Sequence, residues 1–163
     1  MAEPHLRAAR ASDLPAVAHV FLACWRGPYA AFLPRRLARR HDEASALARW
    51  GPRLEPTPHG GLVVAELSGS LVGVALVLPE ASYLASLYVD PAVHGRGVGR
   101  LLLTQAASVC RGTAADRMTW WVFADNRAGR DFYERLGAEP TGRMQAQEEF
   151  GLPEAEYAVD LAR

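Results

Sequence analysis

A run of glycine and basic residues, His94-Gly95-Arg96-Gly97-Val98-Gly99-Arg100, lies between an extended apolar stretch, Leu84 to Val89, and an apolar stretch with helical spacing, Leu101 to Cys110. A β-prone segment, Met118 to Phe123, comes next. Strand, glycine turn, helix and strand in that order imply a right-handed crossover, which makes the two strands parallel. Glycines at a helix start leave backbone N–H groups bare where the helix dipole favours an anion. A phosphate-bearing ligand suits such a turn, and a plain strand-to-helix turn is the alternative that the run leaves open by itself.

The remaining segments decide what surrounds this crossover. A short extended piece, Leu6 to Ala9, leads to Ser12-Asp13-Leu14-Pro15, where Ser12 or Asp13 can cap a helix that runs to about Trp25. Gly27-Pro28 breaks it, an arginine-rich stretch follows (Arg35, Arg36, Arg39, Arg40), and a second helix spans about Asp42 to Trp50. A loop at Pro56 to Gly61 precedes two strands, Leu62 to Leu67 and Leu71 to Leu78, which form a hairpin about Ser68-Gly69-Ser70. The third strand of the series runs from Tyr83 to Val89. After Met118–Phe123, Asp125-Asn126 can cap a helix from about Arg127 to Leu136, which Gly137 ends. The tail from Ala138 holds one or two strands, of which Tyr157 to Leu161 alternates most clearly. The expected fold is α/β: a mixed, mostly antiparallel sheet of six to seven strands, flanked by about four helices, in a single domain over residues 1–163.

Composition narrows the partners. Lys+Arg and Asp+Glu balance at 18 each in 163 residues, so the overall field draws the chain to neither nucleic acid nor an anionic membrane. The anion site has to be local. Two cysteines, Cys24 and Cys110, are too few for a disulfide framework or a zinc site, which fits a reducing cytoplasm. No run of about twenty apolar residues is present. A soluble, cytoplasmic protein without a metal is the expectation, and the oligomeric state is left open, a homodimer included.

Two nucleotide motifs fail at the glycine run. A Walker loop needs Lys and then Ser or Thr after its last glycine, and Gly99 is followed by Arg100-Leu101. A dinucleotide fingerprint needs G-x-G-x-x-G after a tight turn, whereas these glycines alternate at 95, 97 and 99 behind the long Asp90-Pro91-Ala92-Val93-His94 segment. A third pattern fits better. Leu87-Tyr88-Val89-Asp90-Pro91 followed by His94-x-x-Gly97-x-Gly99 and a helix resembles the acetyl-CoA motif of the GNAT N-acetyltransferase superfamily. Downstream, Asn126-x-x-Gly129-x-x-Phe132-Tyr133-x-x-x-Gly137 resembles that superfamily's second segment. Together they cover roughly residues 83–137. The resemblance implies a sheet splayed open between its two parallel strands, with acetyl-CoA in the gap and a primary amine of a small molecule or peptide as acceptor. A non-catalytic acyl-CoA-binding module of the same fold is the alternative.

The same resemblance assigns candidate residues. Leu87, Tyr88, Val89, His94, Gly95, Arg96, Gly97, Val98, Gly99 and Arg100 would hold the cofactor. Asn126, Arg130 and Tyr133 would join them, since with Gly129 they fall at i, i+4, i+7 and i+3 on one helix face, Phe132 and Leu136 pointing into the core. Val89 N–H would serve as oxyanion donor and the Tyr133 phenol as the acid that meets the leaving thiolate. His94 stands where the family has Gln or Arg, and Gly129 where it has Ala. The base is less determined: the start of the strand at Tyr83 and position 121, a tryptophan here, are both non-acidic. Glu80 is the nearest carboxylate before that strand, with a water-mediated base or deprotonation in bulk as alternatives. Trp25, Tyr29 and Phe32 are candidates to wall the acceptor pocket, or else pack helices, and the arginines at 35–40 either attract an acidic group or form a solvated face. Of Trp120 and Trp121, one should fill core and the other face the groove.

Overall fold

Among the described residues, seven strands join one sheet in the order β1-β2-β3-β4-β5-β7-β6. The computed structural model describes residues 2–55 and 61–161. In chain order its elements are β1 (His5–Ala8), α1 (Leu14–Arg26), α2 (Arg35–Ala38), α3 (Glu43–Trp50), β2 (Leu62–Leu67), β3 (Ser70–Leu78), β4 (Tyr83–Val89), α4 (Val98–Cys110), β5 (Arg117–Phe123), α5 (Arg127–Arg135), β6 (Glu139–Ala146) and β7 (Pro153–Asp160). β4 and β5 run parallel, and the other neighbours are antiparallel. Among the described residues five helices stand where about four were expected, because Arg35–Ala38 closes one turn inside the arginine-rich stretch. The loop expected at Pro56 to Gly61 lies, up to Gly60, outside the described residues.

Helical spacing explains how the sheet is covered. α1 buries Val17, Val20, Phe21, Cys24 and Trp25, a stripe at i, i+3, i+4, i+7 and i+8, and lays it with Ala46 and Trp50 of α3 on Val64 and Val74. On the opposite face α4 buries Val98, Leu102, Ala106 and Cys110 against the Met118, Trp120 and Val122 side of β5. Asp42 starts α3 with a reciprocal capping box: Ser45 N–H donates to Asp42 Oδ1 at 2.8 Å and Asp42 N–H to Ser45 Oγ at 2.9 Å. Asp13, expected to cap α1, does not. Its carboxylate accepts from Arg10 N–H at 2.7 Å and from Arg7 Nη1 at 2.7 Å, and this pairing holds it below the usual carboxylate range.

The feature that opens the sheet sits in β4. Leu76 pairs with Ser86 and Val77 with Leu84, which leaves Ala85 as the extra residue of a bulge. β4 and β5 are in register at Tyr83 and Thr119, where Thr119 N–H donates to Ser82 O at 3.0 Å. Past that point the bulge bends β4 away, and the two parallel strands splay apart as expected.

Candidate active site

A cavity of about 700 Å³ fills the splay, lined by Leu84–Val89 of β4 and Trp120–Phe123 of β5. It passes from one face of the sheet to the other. On the α4 side it reaches the turn before that helix. Gly95 and Gly97 have φ of +79° and +83°, the left-handed region that glycine enters without a Cβ penalty, and Gly97 is the helix N-cap. A glycine cap has no side chain to satisfy the first N–H groups of α4, so those of Val98, Gly99 and Arg100 lack intrahelical acceptors at the cavity mouth. Two donors nearby are spent on the protein: His94 N–H on Pro91 O and Arg96 N–H on Val93 O, both at 3.3 Å.

Close approach of the helices needs a third glycine. A Cβ on Gly99 would stand 2.9 Å from the Phe132 ring, so the aromatic edge of α5 rests on α4 only because that position is bare. Leucine at position 99 improves helix propensity by about 1 kcal/mol, so any loss it causes is steric. Gly99→Leu is expected to push Phe132 into the cavity and remove most of the melting-temperature rise that coenzyme A gives the wild type, read by calorimetry.

Val89 is oriented by the bond that the next residue makes. Asp90 N–H donates to Val72 O at 2.8 Å, and since alternate residues of a strand face opposite edges, Val89 turns its N–H and C=O toward the splay. Its carbonyl accepts the Cys24 thiol at 3.2 Å and bonds His94 Nε2 at 3.0 Å. His94 therefore braces the end of β4 while also lining the cavity. Burial pushes the Cys24 thiol up to about 12, which keeps it protonated as that donor.

α5 presents part of its expected face. Asn126 caps it, Oδ1 accepting from Gly129 N–H at 3.0 Å, and both residues line the cavity. Tyr133 lines it too, its ring 4.9 Å from Trp120 and its hydroxyl in no hydrogen bond among the described residues. Burial, then the nearby Tyr88, raise the Tyr133 phenol above its ordinary value, so it keeps its proton.

Several of the expected residues stand away from the cavity wall or make other contacts. Arg130 leaves the face: its long side chain donates to Tyr157 Oη and Ala124 O, both at 3.0 Å, and does not line the cavity. Phe132, expected in the core, instead lines the cavity with its ring against the bare Gly99, while Leu136 packs on the core as expected and also touches the cavity. Arg96 is exposed and off the cavity wall, and Glu80 sits in the Pro79–Ala81 turn at the closed end of β4. Leu87, Tyr88, Gly95, Gly97, Val98, Gly99 and Arg100 all line it. Trp120 is buried and Trp121 half-buried, as alternation implies, though both touch the cavity.

The opposite face carries residues that the sequence did not single out. Trp25 and Tyr29 line it, while Phe32 packs on Tyr29 and Phe123 behind the wall. Arg35, Arg36 and Arg39 are exposed to solvent, and Arg40 pairs with Glu149 at 3.3 Å. Besides Arg100 and Arg135, the charged residues lining the cavity are Arg49, Arg53, Glu149 and Glu154. Glu154 pairs with Phe123 across β7 and β5, so it shares that residue's face, opposite Tyr157 and Tyr133. It is half-buried, accepts from Gln145 Nε2 at 3.0 Å, and burial raises it above the usual carboxylate range. A phenol on one face and a carboxylate on the other thus flank the opening.

Comparison with known proteins agrees with this layout. An N-acetyltransferase from Rhodopseudomonas palustris superposes with a TM-score of 0.76 at 23% identity, covering 98% of this chain and 97% of its own. The protein yncA of Salmonella typhimurium, solved with its cofactor acetyl-CoA, superposes at 0.69 with 22% identity, covering 98% and 95%. Among curated relatives, the mycothiol acetyltransferase of Beutenbergia cavernae is 35% identical over 85 residues, 51% of this chain and 28% of that protein. The peptidyl-lysine N-acetyltransferase YjaB of Escherichia coli is 32% identical over 80 residues, 49% and 50%. The matched region spans half or less of these curated relatives' length. The sequence pattern described as the Acetyltransferase (GNAT) family matches residues 15–138, a stretch that holds the crossover, the glycine turn and α5. The chain therefore belongs to the GNAT acetyltransferase family.

Proposed function

We propose that this protein moves the acetyl group of acetyl-CoA to a primary amine of a small molecule or peptide, by direct attack with both substrates bound. The observation that carries this reading is the cavity through the splayed sheet, with a glycine-bounded helix start at one mouth and Tyr133 and Glu154 on opposite faces. The turn fits the cofactor: left-handed glycines and unsatisfied N–H groups suit a pyrophosphate, with Arg100 adding charge. Asn126, Gly129 and the open edge of β4 offer amide partners and room to an extended arm.

Bound acetyl-CoA supplies an activated acyl carbon and a thiol leaving group. Glu154 accepts a proton from the acceptor ammonium, and the neutral nitrogen forms the new C–N bond. Val89 N–H donates to the acyl oxygen as charge gathers there, its geometry braced through the carbonyl by Cys24 and His94. As the C–S bond breaks, Tyr133 Oη gives its proton to the departing sulfur, the second proton shed by the acylated nitrogen passes through water to restore the phenol, and the proton on Glu154 returns to solvent. Two measurements test the reading. Acetyl-CoA should raise the melting temperature, because a ligand specific to the folded state stabilises it. An amine panel should then release free thiol in step with N-acetylated product. A thermal shift without thiol from any amine would leave a binding module in place of an enzyme.

A further inference from the structure

The cavity face that holds Glu154 carries more positive charge than the protein neutralises. Arg49, in the last turn of α3, lines it and pairs with Glu149 at 2.6 Å, and Glu149 is shared with Arg40 at 3.3 Å. Arg53, one turn further on, also lines it and pairs with no carboxylate among the described residues. Its guanidinium is held in place: Nη1 donates to Arg49 O, and the group lies 5.8 Å from the Trp50 ring centre. Nε and Nη2 make no hydrogen bond among the described residues. Trp25, Tyr29 and Phe150 give the space between this cation and the splay an apolar wall. Burial and the neighbouring Arg49 both depress the Arg53 pKa, the signature of a cation short of anionic company.

We infer that the acceptor is an amino acid-like molecule, whose carboxylate or similar anion pairs with Arg53 and Arg49 while its amine faces Glu154. This rests on the transfer reading above and narrows its substrate class. The geometry has a physical logic: a fixed guanidinium gives directional, charge-assisted bonds to a planar anion, and Glu154 of opposite sign on the same face takes the ammonium end. An acceptor with a charge at each end is thereby aligned along the cavity, and a simple alkylamine has nothing to place against the arginines. Peptide lysines, whose amine lies at the end of a neutral stem, would leave them unanswered.

The test compares ω-amino carboxylates of increasing length (glycine, β-alanine, 4-aminobutanoate, 6-aminohexanoate) with alkylamines of matched length in the thiol-release assay. At least one acid should exceed its matched amine about tenfold or more in kcat/KM. R53Q should close most of that gap through KM, and R53K, which keeps a cation without the planar fork, should retain part of it. A second arm needs no turnover: with coenzyme A saturating, quenching of tryptophan fluorescence by the N-acetylated acid should occur at lower concentration than by the N-acetylated alkylamine, and R53Q should abolish the difference. Alkylamines used as well as the acids, or an R53Q ratio unchanged in both arms, would overturn the inference and leave acetyl transfer intact. Failure of all amines to release thiol would instead remove the transfer reading, and the fluorescence arm would still decide whether the arginines select an anion.

Discussion

Tyr133→Phe is expected to lower kcat about a hundredfold while changing the affinity for acetyl-CoA by no more than about threefold, a split that marks an interaction made as the bond breaks. The phenol is well placed for this. Its ring is fixed between Trp120 at 4.9 Å and Phe132 at 5.1 Å, so removing one oxygen leaves the packing as it was. Because burial holds the phenol protonated, full transfer to a thiolate of pKa about 8.5 is uphill at equilibrium. In the proposed reaction its contribution is therefore a hydrogen bond that strengthens as negative charge builds on sulfur, with the proton following as the thiolate leaves. Pre-steady-state thiol release with a saturating amine separates this from product release. A Phe variant with wild-type kcat would take Tyr133 out of the reaction.

What could be read from the sequence divides along physical lines. Helix and strand spacing set α1, α4 and β5, because each buries one face against a thick core, and the repeat of 3.6 or 2 survives in the residue order. The glycine turn was legible for a different reason: Gly95 and Gly97 adopt backbone angles that few other residues tolerate, so the residue type itself reports the geometry. β6 left no such mark. It is an edge strand, exposed along most of its length, with Pro140, Gly142 and a register shift between Pro140 and Met144, so no core face imposes alternation. Arg130 shows the limit of helical periodicity, which locates a Cα on a face while a long side chain reaches elsewhere for Tyr157. Glu154, Arg49 and Arg53 were missed because their significance is entirely tertiary. Glu154 faces the splay through a pairing with Phe123 that no local pattern announces, and the arginines look like ordinary helix-end charges until the cavity is drawn.

Glu154→Gln provides the sharpest test of how the amine is deprotonated, because its effect should depend on pH with a defined sign. An alkyl ammonium has a pKa near 10.4, so at pH 7 only about one acceptor molecule in a few thousand is neutral. With Glu154 ionised, the enzyme can bind the abundant ammonium and remove its proton in the site. Activity should then be lost as pH falls through the Glu154 pKa, at a pH above the ordinary carboxylate range because burial raises that value. Above it, kcat/KM should level off toward the amine's own pKa. Glutamine keeps the shape and can still meet the Gln145 amide, but it has no basicity, so the variant must wait for amine that is already neutral. Its kcat/KM should fall by about 10²–10³ at pH 7 and recover about tenfold per pH unit between 7 and 9, tracking the fraction of free amine. A deficit that stays constant over that interval would show that Glu154 positions the acceptor without taking its proton, and an undiminished variant would return the deprotonation to bulk water.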